Sequence, residues 1–149
     1  MSIGKRLNKI LVGLGNNKAL EKAHETTFSE NKIEINLPGE KIGESDNGQL
    51  WVTYENLGGF DFMNLIVVSR FNIKTKNRCK MEFHGGSEEL TLVSDNEEIE
   101  SENSNPAKIW ITQMSFDINK EQRKFFNSRG SKEIKIRYNK RDLLFNMIQ

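Results

Sequence analysis

Between residues 32 and 139 apolar side chains recur at every second position, in short runs separated by turn residues, and this period of two restricts the fold most. Ile33, Ile35 and Leu37 alternate with Lys32, Glu34 and Asn36, and Pro38-Gly39 closes the run with a turn. Leu50, Val52 and Tyr54 alternate with Trp51, Thr53 and Glu55, between the turn signals Asp46-Asn47-Gly48 and Gly58-Gly59. Within 60–71, Leu65-Ile66-Val67-Val68 is unbroken and rich in β-branched residues, the pattern of a central strand covered on both faces.

The longest alternation spans 71–83. Phe71, Ile73, Thr75, Asn77, Cys79, Met81 and Phe83 fall on one side, and Asn72, Lys74, Lys76, Arg78, Lys80 and Glu82 on the other. That length exceeds an ordinary strand, so a turn near Lys76-Asn77 is expected to fold it into a hairpin. Further strands are expected over 88–93, 108–118 and 132–139. In 108–118, Ile109 and Ile111 are out of step with Met114, Phe116 and Ile118, which predicts a bulge near Thr112-Gln113. Asn119 with Gln122 forms a variant capping box for a helix carrying Phe125 and Phe126, with Gly130 placed to end it.

The N-terminus follows a different period. Ile3, Leu7, Ile10, Leu11 and Leu14 share one side of a helix with Ser2 as N-cap and Gly15 as its stop, opposite Lys5, Arg6 and Lys9. A second short helical stretch is expected over 18–25. The uncharged stretch from Ile10 to Gly15 is too short for a signal peptide, and nothing approaches a transmembrane span. One helix of this length gives marginal membrane affinity, so packing on the sheet is its expected role.

These patterns predict a mainly β chain, with α+β as the variant. The expected form is an antiparallel sandwich or partly open barrel of about seven strands, with an amphipathic N-terminal helix and a short helix before the last strand. No linker divides the 149 residues, so a single domain is expected, with a helical segment at 1–25 and a β-rich core at 32–139.

Chemistry-bearing motifs fail one by one. Gly13-Leu14-Gly15 would need its third fingerprint glycine where Lys18 stands, and no strand precedes it. His84-Gly85-Gly86-Ser87 leads into Glu88-Glu89 rather than a nucleophile elbow, and reads as a hairpin turn. The acidic loop at 94–106 carries Asp95, Glu97, Glu98, Glu100 and Glu102 without EF-hand spacing, and His24 and His84 are too far apart in sequence for a short-spaced metal motif. The lone Cys79 permits no internal disulfide and sits on the apolar side of its run, which fits a reducing compartment and a cytoplasmic protein. No catalytic residue, cofactor or metal site is expected.

A formal net charge of +1, from 22 basic and 21 acidic residues, leaves electrostatic recognition to local segregation. Lys74, Lys76, Arg78 and Lys80 define a basic strand face that Lys135 and Arg137 would extend if their strand lies alongside. Trp51 and Trp110, opposite their strands' main apolar sets, would add aromatic area. Such a face suits an acidic protein partner or self-assembly. Single-stranded nucleic acid is the alternative, because bases stack on aromatics while phosphates pair with cations. A small ligand inside a barrel is the third class. The same lysines also discourage edge-to-edge aggregation.

Overall fold

The computed structural model describes residues 35–46, 48–104 and 108–149. The N-terminal helices read from the sequence lie outside the described residues. The strands are β1 (Glu40–Ser45), β2 (Gly48–Leu57), β3 (Phe60–Ser69), β4 (Lys74–Thr75), β5 (Lys80–His84), β6 (Leu90–Val93), β7 (Ile99–Glu100), β8 (Glu102–Ser104), β9 (Ile109–Ile118), β10 (Glu133–Tyr138) and β11 (Arg141–Met147). One helix, α1 (Lys120–Ser128), lies between β9 and β10. Nine strands form one antiparallel sheet in the order β6-β5-β10-β11-β1-β2-β3-β9-β8, curved into a half-barrel, and β4 pairs with β7 in a separate two-stranded sheet. The barrel alternative is thus nearer than the sandwich.

The concave side is filled by large side chains that the alternation selects: Met63, Leu65, Met81, Phe83, Phe116 and Phe145 are all fully buried there. The ends of the sheet are joined by loop contacts rather than by a strand ladder. The Asp95 amide donates to the Ser115 carbonyl at 2.8 Å, and the Ser115 amide donates to Asn96 Oδ1 at 2.9 Å. Beside them Ile73, just before β4, and Ile99 of β7 enter the core. Ser101 fixes this cover, since its Oγ accepts from the Ile73 amide at 2.7 Å and lies 2.6 Å from Thr112 Oγ1.

α1 covers part of the concave side. Phe126 is buried, and the Phe83 ring lies 5.5 Å from Phe125 and 5.2 Å from Phe126. Both arms of the expected capping box are present: the Gln122 amide donates to Asn119 Oδ1 at 2.8 Å and the Asn119 amide donates to Gln122 Oε1 at 2.9 Å. Asn119→Ala should therefore destabilise the protein by about 1 kcal/mol, read as a lower urea midpoint with an unchanged m-value. An unchanged midpoint would show that packing alone holds the helix end. Gly130 is not the left-handed stop; Arg129 is, with φ 53°, held by its ion pair with Glu40.

Several strand expectations are corrected by this architecture. Ile35 to Leu37 belongs to no strand; it packs on the outer face of β2, β3 and β9 in a second apolar cluster with Trp51, Ile66, Val68, Ile109 and Ile111. β9 contains no bulge. Its register with β3 is continuous from Asp61↔Ile118 to Ser69↔Trp110, and the change of apolar phase along it marks a change of which face is covered. Residues 71–83 form neither one strand nor a hairpin, because β4 pairs with β7 while β5 pairs with β6 and β10. The loop at 94–106 contains β7 and β8, and β11 continues the sheet beyond 139.

Candidate functional site

β10 and β11 are joined by Asn139-Lys140, both in left-handed conformation with φ 47° and 63°, and Tyr138 pairs with Arg141 across the turn. This is a two-residue hairpin of the I′ kind, where glycine is the favoured second residue. A lysine there costs about 1 kcal/mol in backbone strain. Arg78, also left-handed at φ 66°, has evident compensation: its guanidinium donates to the carbonyls of Ser94 and Asp95 at 2.8 Å each and pairs with Glu97 at 3.1 Å. Lys140 is exposed and makes no ion pair with any described residue.

The turn is tied to β4. Asn139 Nδ2 donates to the Lys74 carbonyl at 2.6 Å and Thr75 Oγ1 donates to Asn139 Oδ1 at 3.0 Å, which sets Lys74 beside Lys140 and Arg141. On the convex face one row runs Val93, Lys80, Arg137, Asp142 across β6, β5, β10 and β11, and the next runs Thr91, Glu82, Lys135, Leu144. Lys80 thus stands directly opposite Arg137. Like charges in that position are destabilising unless something offsets them. Asp142 does so for Arg137, at 2.9 Å, and Glu82 adds a contact at 3.3 Å, but Lys80 has no ion-pair partner among the described residues.

The sequence-derived surface is therefore split. Lys80, Lys135 and Arg137 come together on the convex face; Lys74 pairs with Glu100 at 3.8 Å on the small sheet; Arg78 turns onto the 94–97 loop; Lys76 is exposed between them. Trp51 does not join them. It is buried in the outer cluster, with its Nε1 donating to Gln49 Oε1 at 2.9 Å. Trp110, half-buried, is paired with Ser69 across β3 and faces the other side of the sheet from Trp51. A last strand ending at 139 leaves out Lys140 and Arg141; the continuing alternation of Leu143, Phe145 and Met147 is the signal that extends the sheet past them.

Glu82 sits at the centre of this convex face and is nearly buried at 9% exposure. Burial alone would raise its carboxyl, but contacts with His84 at 2.9 Å and Arg137 at 3.3 Å outweigh it, and the net direction is below the ordinary value. A carboxyl lowered by folding adds stability above its unfolded value, near 4.5, and that contribution is lost as the pH falls through the folded value. Glu82→Gln should then flatten the acid limb of a stability profile measured by urea unfolding below about pH 5. An acid limb as steep as wild type would remove Glu82 as its source.

His84 contacts Glu82 and Glu89, not Ser87, so the glycine loop closes the β5-β6 hairpin without a nucleophile–base pair. Cys79 is fully buried, and burial pushes its thiol up to about 12, which leaves no reactive thiolate at neutral pH. Among the described residues no group of three or more His, Cys, Asp or Glu is placed to hold a metal ion, and no helix is long and apolar enough to cross a membrane. The molecule presents a half-barrel with a filled concave side and a cationic turn end. No protein-family model matches the chain, and no curated protein or solved structure is significantly similar to it.

Proposed function

We infer that this protein is a non-catalytic interaction module that recognises an acidic protein surface through the cations at one end of its sheet, Lys80 and Lys135 on the convex face with the exposed Lys76 and the turn residue Lys140. The observation that carries the reading is the placement of Lys80 opposite Arg137 without a carboxylate of its own, next to a turn that keeps a lysine where glycine would be less strained. Natural sheets avoid both features unless another gain offsets them. The burial of Trp51 favours a protein partner over single-stranded nucleic acid, because it removes one of the two expected stacking surfaces. A reducing, cytoplasmic setting accords with the single buried thiol.

Lys76→Glu with Lys80→Glu is the direct test, and Lys80→Glu places a carboxylate opposite Arg137, which favours the fold. The double variant should bind a poly-glutamate peptide at least about tenfold more weakly than wild type in low salt, with an unchanged unfolding midpoint. Equal binding would exclude this surface. A single-stranded oligonucleotide that bound more tightly than poly-glutamate, with a steeper salt dependence, would transfer the assignment to nucleic acid.

A further inference from the structure

The convex face of the sheet differs from one half to the other. On β5, β10 and β11 its side chains Lys80, Arg137, Asp142 and Leu144 are exposed, whereas on β2, β3 and β9 the rows Gln49-Val68-Ile111 and Trp51-Ile66-Gln113 are buried throughout, as is Ile109 beyond them. Asn64 in the next row is buried as well, and full exposure returns only with Glu55 and Asp117 in the row after it. Gln113 Oε1 is buried with no hydrogen-bond partner among the described residues, so water does not reach the centre of this half. A sheet face buried to this depth has a second layer over it. Ile35 and Leu37 supply a part of that layer. Three extended residues reach only about 10 Å and are one strand wide. The patch runs roughly 20 Å along β9 from Ile109 to the Asn64-Ser115 row, and roughly 10 Å across the three strands.

Two observations identify the rest of the cover. The described chain begins on this face at Ile35, so the residues before it end against the patch. Among those residues the apolar side chains Ile3, Leu7, Ile10, Leu11 and Leu14 share one side of the expected helix, whereas 15–34 hold only Leu20, Phe28 and Ile33 as large apolar groups. A helix from Ile3 to Leu14 is about 18 Å long and about 10 Å wide, the dimensions of the patch. We propose that the apolar side of this helix seats on the convex face of β2, β3 and β9, over Trp51, Ile66, Val68 and Ile111. Lys5, Arg6 and Lys9 then face outward on the same side of the sheet as Lys80 and Lys135, and the surface offered to an acidic partner continues across the helix. That continuation rests on the reading of the convex cations as an interaction surface; the docking does not.

Acrylamide quenching of Trp51 tests the docking, in the full chain carrying Trp110→Phe so that Trp51 is the sole indole. Trp51 should be protected at every protein concentration. Leu7→Asp with Leu11→Asp should abolish the protection and shift the emission to the red, whereas Lys5→Glu with Lys9→Glu, on the opposite side of the helix, should leave both unchanged. Trp51 that is freely quenched in the parent chain, or still protected in the aspartate variant, overturns the docking. Protection lost on dilution assigns the face to a second copy and overturns it equally. An aspartate variant that fails to fold leaves the decision to a nitroxide on Lys9→Cys, which is selective because Cys79 is buried and its thiol is pushed up to about 12. The label should broaden the amide signals of Ile66 and Gln113 and spare those of β6; the reverse pattern, or no broadening, overturns the docking. Lys5→Glu with Lys9→Glu should also weaken poly-glutamate binding. If binding is unchanged while Trp51 stays protected, the helix is no part of the partner surface. Lys76→Glu with Lys80→Glu then decides separately whether the cations of the sheet are.

Discussion

Gly48→Ala should destabilise the protein by on the order of 4 kcal/mol or more, or prevent it from folding. Gly48 opens β2, is buried, and has φ 150°; a Cβ there would lie 1.8 Å from the Val68 carbonyl oxygen and 2.9 Å from the Ser69 Cα. Both obstacles are backbone of the paired strand β3, so no rotamer change relieves them. Gly48↔Ser69 is the last rung of the ten-rung β2-β3 ladder, and Gly48 also pairs with Ser45 of β1. Relief therefore needs strand displacement where three strands meet. Gly58→Ala is the control, because Gly58 is left-handed at φ 60° but nothing lies within 4 Å of its Cβ position. That substitution should cost about 1 kcal/mol from conformation alone. Guanidinium unfolding of the two variants separates space from backbone strain; similar midpoints would mean that the β1-β2-β3 corner yields more easily than its geometry indicates.

Why the sequence showed some of these strands and hid others follows from what each one buries. β3 is legible from an unbroken apolar run that is buried on both faces, and β10 from the alternation that buries Ile134, Ile136 and Tyr138. β1 was not, since Ile42 is its single large apolar residue and its buried neighbour Gly43 exposes no pattern. β7 and β8 were hidden by acidic residues that point to solvent while Ile99 and Ser104 turn inward. The 71–83 alternation did select the buried side chains Ile73, Thr75, Cys79, Met81 and Phe83, even though the backbone leaves the strand between β4 and β5. Arg78 causes the break: its amide donates to the Glu97 carbonyl at 2.8 Å, a contact nineteen residues away that local periodicity cannot register.

The candidate surface was legible to the same degree and for the same reason. Lys80, Lys135 and Arg137 could be placed on one face from period two alone, given neighbouring strands. Which cations would be neutralised depended on Glu82, Glu97 and Glu100, whose positions follow from strand order. Trp51 was misplaced because alternation identifies a second face but not whether other chain covers it; Ile35 and Leu37 pack against its cluster.

Phe83→Ala should cost about 3 to 5 kcal/mol, because the flanking strands cannot close the space and only α1 can move toward it. Phe83 is fully buried on β5, its backbone is laddered to Leu90 of β6 and Ile134 of β10, and its ring is enclosed by Phe125 and Phe126 of α1. Strands on both flanks are fixed by hydrogen bonds, so α1 is the element free to move into the void. The helix holds its place by the Phe83 contacts, by the Arg123 guanidinium 3.4 Å from the Tyr54 ring centroid, and by its N-terminal cap. A double-mutant cycle of Phe83→Ala with Phe126→Ala should therefore be less than additive by about 1 kcal/mol, the coupling usual for packed aromatic pairs. Full additivity would show that α1 is held by its cap and Arg123 rather than by the Phe83 contacts.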